Sequence, residues 1–207
     1  TAPGMHTVVF VAQTQLGRAL EEAAARIRPS VGLRCTTVAA YAQRLAQAEL
    51  LKAGSQRLPS GIDQLLAAYA VDQLPIETHD QLLQGSTAAR LSGSLAQTFS
   101  VLRKHGVQPE AYQQALKAAT NTTAQQEAQA KAYAHYVDAL TENKYYDEAD
   151  MLQRATALVQ EHTVGEPHRS QYAIVDDVDV PGYASKLVEA LAAASPHPLR
   201  RLGQKYP

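Results

Sequence analysis

The chain of 207 residues contains a single cysteine, Cys35, and no long hydrophobic run. One cysteine excludes an intramolecular disulfide framework and a cysteine-rich zinc site. No window holds the roughly 18 consecutive apolar residues of a transmembrane helix, so a membrane partner is not expected. The N-terminus also lacks the charged and then apolar stretches of a secretory signal. These absences predict a cytoplasmic protein.

The charge of the chain is close to neutral but unevenly distributed. The formal net charge is -1, and 45% of the residues are hydrophobic, which is enough to build a core. Seven arginines and lysines face three glutamates up to residue 57, whereas acidic residues predominate between 121 and 179. A basic segment can bind phosphate groups. The alternative is an ordinary solvated helix surface.

The pattern of apolar residues predicts an α/β fold. Short β-branched runs near 7–12, 33–38 and 172–177 are typical of buried parallel strands, and helical periodicity follows each of them. Parallel strands joined by helices require right-handed crossovers. Only helical periodicity is found between the second and third runs. We therefore expect an α/β domain in two parts, 1–55 and 166–207, with an all-helical insertion over 56–165.

The third predicted strand ends in two carboxylates, Asp176 and Asp177. Open parallel sheets bind ligands at the carboxyl ends of their strands. Carboxylates at that edge can hold Mg²⁺ beside a phosphate group. The alternative interpretation is a strand that ends in a solvated acidic turn.

A phosphate-binding loop would be expected after the first strand. When residues 12–19 are aligned with G-x-x-x-x-G-K-[ST], only Gly17 is retained. Ala12 replaces the first glycine, Arg18 the lysine and Ala19 the hydroxyl residue that binds magnesium. Alanine offers no oxygen to a metal ion, and fewer glycines restrict the backbone that must wrap a phosphate. A plain strand–helix turn is the alternative.

Other chemically reactive residues favour structural roles. Cys35 lies in a predicted strand, where an inert thiol is favoured over a nucleophile. The seven histidines include no pair at i, i+4 on a predicted helix. Tyr145 and Tyr146 could stack on bases, but packing against a helix is favoured. The sequon at 121–123 is interpreted as a helix cap.

The segment 143–152 reads NKYYDEADML and resembles a motif of the UvrD/Rep-type superfamily 1 helicases. Those proteins carry a (V/Y)D(F/E)xDLL element at the start of a helix. Asp147, Asp150 and Leu152 match this element.

The segment 172–179 reads YAIVDDVD and resembles the VDEFQD strand end of the same helicases. Val175 and Asp176 match, and Asp177 stands in place of the glutamate. Val178 and Asp179 depart from the usual Phe and Gln. Together with the preceding motif, this is the most specific part of the resemblance.

Three further segments resemble the same family and its AddB- and RecC-type relatives. Residues 10–20, FVAQTQLGRAL, resemble the helicase element TFTNKAAREM, which follows the phosphate loop, and also the strand–helix start of AddB-type subunits. Residues 35–45, CTTVAAYAQRL, resemble STFHSLALRIL, which contacts single-stranded DNA in helicases. Residues 91–106 resemble the helical insertion of AddB-type proteins.

The resemblance implies the first RecA-like domain of a helicase, a P-loop-type parallel sheet with a large helical insertion. It implies that Arg18, Thr36, Thr37 and Arg44 contact the backbone of single-stranded DNA. Gly17, Arg18, Asp176 and Asp177 would be remnants of a nucleotide site, with the two aspartates as candidate Mg²⁺ ligands. Because the lysine and hydroxyl residue are missing, we expect no bound ATP and no catalysis by this chain.

Three functions remain open at this stage. The first is a non-catalytic domain that binds or scaffolds DNA in an AddB-like helicase–nuclease of repair and recombination. Its partner would be another subunit or the remainder of a longer chain. The second is a fragment of an active UvrD-like helicase whose phosphate loop lies upstream. The third is a helical protein-interaction module without a nucleic-acid role.

Overall fold

The fold consists of parallel strands with helices on both faces and a helical insertion. The computed structural model describes residues 6–27, 32–164, 169–175 and 178–203. The strands are β1 His6–Phe10, β2 Leu33–Thr36, β3 Gln56–Arg57, β4 Tyr145–Tyr146, β5 Ser170–Val175 and β6 Arg200–Leu202. The helices are α1 Thr14–Ile27, α2 Val38–Lys52, α3 Ile62–Asp72, α4 Ile76–Leu83, α5 Ala88–Lys104, α6 Pro109–Ala118, α7 Ala124–Glu142, α8 Glu148–Gln160 and α9 Tyr183–Ala194.

The main sheet has the strand order β2-β1-β5-β6, and every pairing is parallel. Val9 pairs with Cys35 on one side and with Ala173 on the other. This confirms the predicted parallel sheet built from the runs near 7–12, 33–38 and 172–177. β6 was not predicted, because its three residues are exposed and include two arginines, which give no apolar strand signal.

The two faces of the main sheet carry different layers. On one face, Val9, Val11 and Ala173 form a buried cluster against which Leu16 of α1 packs. On the other face, the rings of Phe10 and Tyr172 are stacked at 5.9 Å, and Tyr41 of α2 meets both edge-on. The Tyr41 and Tyr172 hydroxyls lie 2.9 Å apart, so each buried phenol has a hydrogen-bond partner. Strand alternation therefore directs α1 and α2 to opposite faces.

The insertion has a core of its own. Phe99 of α5 packs against Tyr133 and Tyr136 of α7, with ring centroids 5.3 and 5.2 Å apart, in a buried cluster shared with α3. The Tyr133 hydroxyl donates to the carbonyl of Val107 at 2.7 Å. α7 begins at the predicted cap, because Thr123 and Gln126 form a reciprocal capping box.

The insertion also contains two strands, so the prediction of an all-helical insertion was wrong in this detail. β3 and β4 pair in parallel, with Gln56 opposite Tyr145. Each strand has only two residues, too few for a sequence pattern to indicate. The helix α4 was also not predicted.

By its contacts the chain forms two compact units, residues 1–50 with 150–207 and residues 51–149. The limits drawn from the sequence at 55/56 and 165/166 remain a proposal, and α8 falls mostly within the first unit. In the described part of the chain, no helix has both the length and the apolar character that a bilayer crossing requires.

Candidate functional site

The strand order of the main sheet predicts a crevice at its carboxyl edge. The chain passes from β1 to β2 on one side and from β5 to β6 on the other. Where the strand order reverses in this way, the loops after the two central strands separate, and ligands of open α/β sheets bind in the resulting gap. The loop of residues 11–13 after β1 borders this gap, and β5 ends at Val175 beside it.

Two helices begin at the same carboxyl edge. α1 starts at Thr14 and α2 at Val38, and neither has an acidic residue in its first turn. The first turns of helices carry unpaired N–H groups and roughly half a positive charge, so they attract anions. This edge of the sheet is therefore suited electrostatically to phosphate groups.

Thr36 and Thr37 lie at this edge, where β2 ends and α2 is about to begin. The Thr36 carbonyl accepts a hydrogen bond from the Val11 N–H at 3.0 Å, which joins β2 to the end of β1. The Thr37 hydroxyl accepts a hydrogen bond from the Ala40 N–H at 3.1 Å and so caps α2. The structure thus gives Thr37 a structural role beside any contact with a ligand.

The two arginines predicted to contact DNA lie on different surfaces. Arg18 is exposed in the second turn of α1, close to the carboxyl edge. Arg44 is nearly two turns into α2 and lines a cleft with Gly32 and Leu33 at the opposite, amino-terminal edge of β2. The structure therefore brings Arg18 to the edge of Thr36 and Thr37 but does not bring Arg44 there. The DNA contacts of all four residues stay predictions.

Gly17 lies within α1 rather than in the loop before it. It is buried, and a Cβ atom at this position would be 3.1 Å from the Cβ of Cys35 and 3.2 Å from a methyl carbon of Val11. The missing side chain lets the helix approach β1 and β2 closely. The structure therefore provides a packing reason for this glycine, whatever its relation to a phosphate loop.

The predicted magnesium ligands, Asp176 and Asp177, lie outside the described residues. The described strand β5 ends at Val175, the residue that precedes them in the sequence. Among the residues that the structure describes, no three His, Cys, Asp or Glu side chains are grouped as a metal site would require. The Mg²⁺ assignment stays a prediction.

The motif at 143–152 organises the start of α8. Asp147 accepts a hydrogen bond from the Ala149 N–H at 2.8 Å and pairs with Arg103, whose Nε lies 2.5 Å from Oδ2. Both charged side chains are nearly buried, with 12% and 14% of their surfaces exposed. Next to them, Lys104 and Glu148 form a half-exposed pair at 2.8 Å.

Sequence reasoning missed Arg103 as the partner of this motif. The available signal was the Arg103–Lys104 pair in the last turn of α5, opposite in sign to Asp147 and Glu148. Neither local periodicity nor spacing reveals that these two segments meet, because 44 residues separate Arg103 from Asp147.

The surroundings of Cys35 agree with the prediction that its thiol is inert. Its side chain is partly buried beneath α1, and its backbone N–H donates to a carboxylate oxygen of Glu21 at 2.6 Å. Burial raises the pKa of the Cys35 thiol to about 11, and the negative charge of Glu21 acts in the same direction. The thiolate is therefore scarce at neutral pH, which disfavours nucleophilic chemistry.

The comparison with known families covers both parts of the sheet and the insertion. Residues 11–196 match the family model described as the UvrD/REP helicase N-terminal domain. The matched range begins directly after β1 and extends through α9, so it includes the crevice and the residues around it. None of the curated proteins matches the chain.

Proposed function

This chain belongs to the UvrD/REP helicase N-terminal domain family, and we propose that it is a non-catalytic domain that binds single-stranded DNA through the carboxyl edge of its sheet. The parent protein would be an AddB-like helicase–nuclease of DNA repair and recombination. Its partner would be a second subunit or a further part of a longer chain. The AddB assignment rests on the resemblance of residues 10–20 and 91–106.

The observation that carries the DNA proposal is that two helices begin at the carboxyl edge of the sheet, the edge that also holds the topological switch point between β1 and β5. α1 and α2 both start there without first-turn acids. Arg18 adds a cation, and the Thr36 hydroxyl adds a polar group at the end of β2. Contacts of this kind bind the sugar–phosphate backbone, so they would not discriminate between base sequences.

The short connection between β1 and α1 supports a non-catalytic role. Only residues 11–13 separate the two elements. In G-x-x-x-x-G-K-[ST], the loop between strand and helix is longer, because its N–H groups must surround the phosphates. Arg18 keeps the positive charge of the missing lysine but differs from it in shape and hydration. Phosphoryl transfer depends mostly on positioning and charge stabilisation. A chain without the longer loop, the lysine and the hydroxyl residue is therefore not expected to hydrolyse ATP.

The alternative is a domain of an active UvrD-like helicase. It is favoured by the likeness of residues 10–20 to the element that follows a phosphate loop. In that case another segment of a longer polypeptide would supply the loop, and Asp176 and Asp177 would bind Mg²⁺. The open reading frame on both sides of this segment distinguishes the two proposals directly.

A salt titration tests the DNA proposal. The affinity for a labelled oligothymidylate should fall steeply between about 50 and about 200 mM salt, because neutralised phosphates release counterions. Arg18→Ala should weaken binding equally for unrelated sequences. Arg26→Ala, an equal charge change at the other end of α1, is the matched control. The absence of binding at low salt would contradict the proposal and favour a protein-interaction module.

Calorimetry with ATP and Mg²⁺, followed by a phosphate-release assay, tests the non-catalytic proposal. We expect no turnover by this chain. Asp176→Ala serves as the diagnostic variant, because it would remove a carboxylate from any working metal site. Turnover by the unmodified chain that this substitution abolishes would favour the active-helicase alternative.

A further inference from the structure

A second basic surface lies at the amino-terminal edge of β1 and β2, away from the crevice at the carboxyl edge. It is a cleft of about 430 Å³. Its lining residues are His6, Val8, Gly32, Leu33, Arg34 and Arg44. Two of them are arginines, whose guanidinium groups suit phosphate recognition. None of the six carries a carboxylate.

Strand geometry explains why these side chains converge. Val8 pairs with Arg34, and neighbouring residues of paired parallel strands point to the same face. His6 lies two residues before Val8 and therefore points to that face as well. The opposite face is the one covered by α1, where Leu33 and Cys35 pack. His6 and Arg34 thus face the layer that contains α2.

Arg44 enters the same cleft from α2. Its guanidinium carbon lies 4.6 Å from the centre of the Tyr41 ring. That ring is only 1% exposed, and its hydroxyl lies 2.9 Å from that of Tyr172. Because these contacts hold the ring in place, its cation–π contact with the guanidinium helps to position Arg44. The two arginines therefore come from two different elements and are not merely neighbours on one helix.

We propose that this cleft binds a phosphodiester group of the same DNA strand as a second contact region. The proposal rests on the proposed function, because that function supplies the ligand class. The cleft combines cations with an apolar floor at Val8, whose side chain shares the face of Arg34. Guanidinium groups bind phosphate oxygens in a forked geometry. The proposed second contact region adds His6 and Arg34 to the DNA contacts. It also groups Arg44 with these two residues, apart from Thr36 and Thr37.

The test compares charge-matched variants of the full chain. Arg34→Ala and Arg44→Ala should each reduce the slope of log affinity for oligothymidylate against log salt by about 0.7, the value for one single-strand phosphate contact. Arg26→Ala is the control, since Arg26 lies in the last turn of α1, on the other face of the sheet. Arg34→Lys and Arg44→Lys should retain most of the slope, because lysine still neutralises a phosphate.

The outcomes separate this inference from the proposed function. If the unmodified chain does not bind oligothymidylate at low salt, the proposed function fails. If it binds, and Arg34→Ala and Arg44→Ala change the slope no more than Arg26→Ala does, the inference is overturned while DNA binding stands. Melting curves of each variant identify any loss of binding that comes from unfolding.

Discussion

At the scale of single residues, Gly17 determines how closely α1 approaches the sheet. Two atoms stand within 3.2 Å of the place that its Cβ would occupy, one on Cys35 and one on Val11. The Cβ of Cys35 is fixed to its backbone and cannot rotate away. By contrast, Gly93 in the middle of α5 has no atom within 4 Å of that place.

This contrast predicts opposite effects for two identical substitutions. Gly93→Ala should raise the free energy of unfolding by about 0.5–1 kcal/mol, because alanine is the better helix former. Gly17→Ala should lower it by about 1 kcal/mol, because overpacking outweighs the same gain in helix propensity. Urea denaturation of both variants measures the difference. Equal stabilisation by the two substitutions would contradict the packing role of Gly17.

The Cys35 thiol predicts an alkaline loss of stability. Its pKa rises from 9.0 to about 11 in the folded chain. The neutral thiol is therefore favoured by folding, and this contribution is present below pH 9.0 and lost as the pH rises through about 11. Cys35→Ala should make the melting temperature less dependent on pH over that interval. It keeps the Cβ atom that packs against Gly17.

The same pKa shift makes a chemical prediction. Alkylation of Cys35 by iodoacetamide in the folded chain should be slow near neutral pH and accelerate toward the alkaline pKa, because the thiolate is the reacting form. The urea-unfolded chain, with its ordinary thiol pKa, is the control. Equal alkylation rates in the folded and unfolded chains would contradict the raised pKa of the Cys35 thiol in the folded chain.

At the scale of elements, two ion pairs join the end of α5 to the start of α8. Arg103 and Asp147 are almost buried, whereas Lys104 and Glu148 each expose 39% of their side chains. Removing one partner of a buried pair leaves an uncompensated charge, while exposed pairs contribute little. The adjacent residues therefore offer an internal comparison.

Arg103→Ala should lower the free energy of unfolding of the insertion by about 3 kcal/mol, and Lys104→Ala by less than about 1 kcal/mol. Asp147→Asn separates the two roles of the aspartate. It keeps an oxygen for the Ala149 N–H but removes the charge opposite Arg103. Urea denaturation of each variant measures the change in the free energy of unfolding. Similar losses of unfolding free energy for Arg103→Ala and Lys104→Ala would refute the expected difference between the buried and the exposed ion pair.

At the scale of the whole molecule, each of the two compact units has buried apolar residues of its own. The chain enters and leaves the insertion at paired strands. The Gln56 N–H donates to the Lys144 carbonyl and the Leu58 N–H to the Tyr146 carbonyl, both at 2.9 Å. Insertions are tolerated where the two ends of the inserted segment lie close together.

We therefore expect that residues 58–143 can be replaced by a short Gly/Ser linker without loss of the main sheet. Because β3 and β4 are parallel, the linker would have to return along the strand as well as cross to its neighbour, so it needs about a dozen residues. Circular dichroism and a cooperative melting transition would report whether the shortened chain folds. A chain that melts without cooperativity would indicate that the sheet unit depends on the insertion.

Local patterns in the sequence predict most of the fold. β-branched runs and helical periodicity are local signals, and they located β1, β2 and β5, most of the helices and the Thr123 cap. Likewise, the motifs at 143–152 and 172–179 indicated the helicase family through the identity and spacing of their own residues. Fold class and family were therefore predictable from local patterns.

The contacts between distant residues depend instead on how the chain packs. The strand order places the crevice between β1 and β5, the register brings His6 and Arg34 to one face, and Arg44 lies at the edge opposite Thr37. β3, β4 and the Arg103–Asp147 pair depend on contacts between distant segments. Such contacts arise from packing and long-range hydrogen bonding, which no periodicity within either segment records.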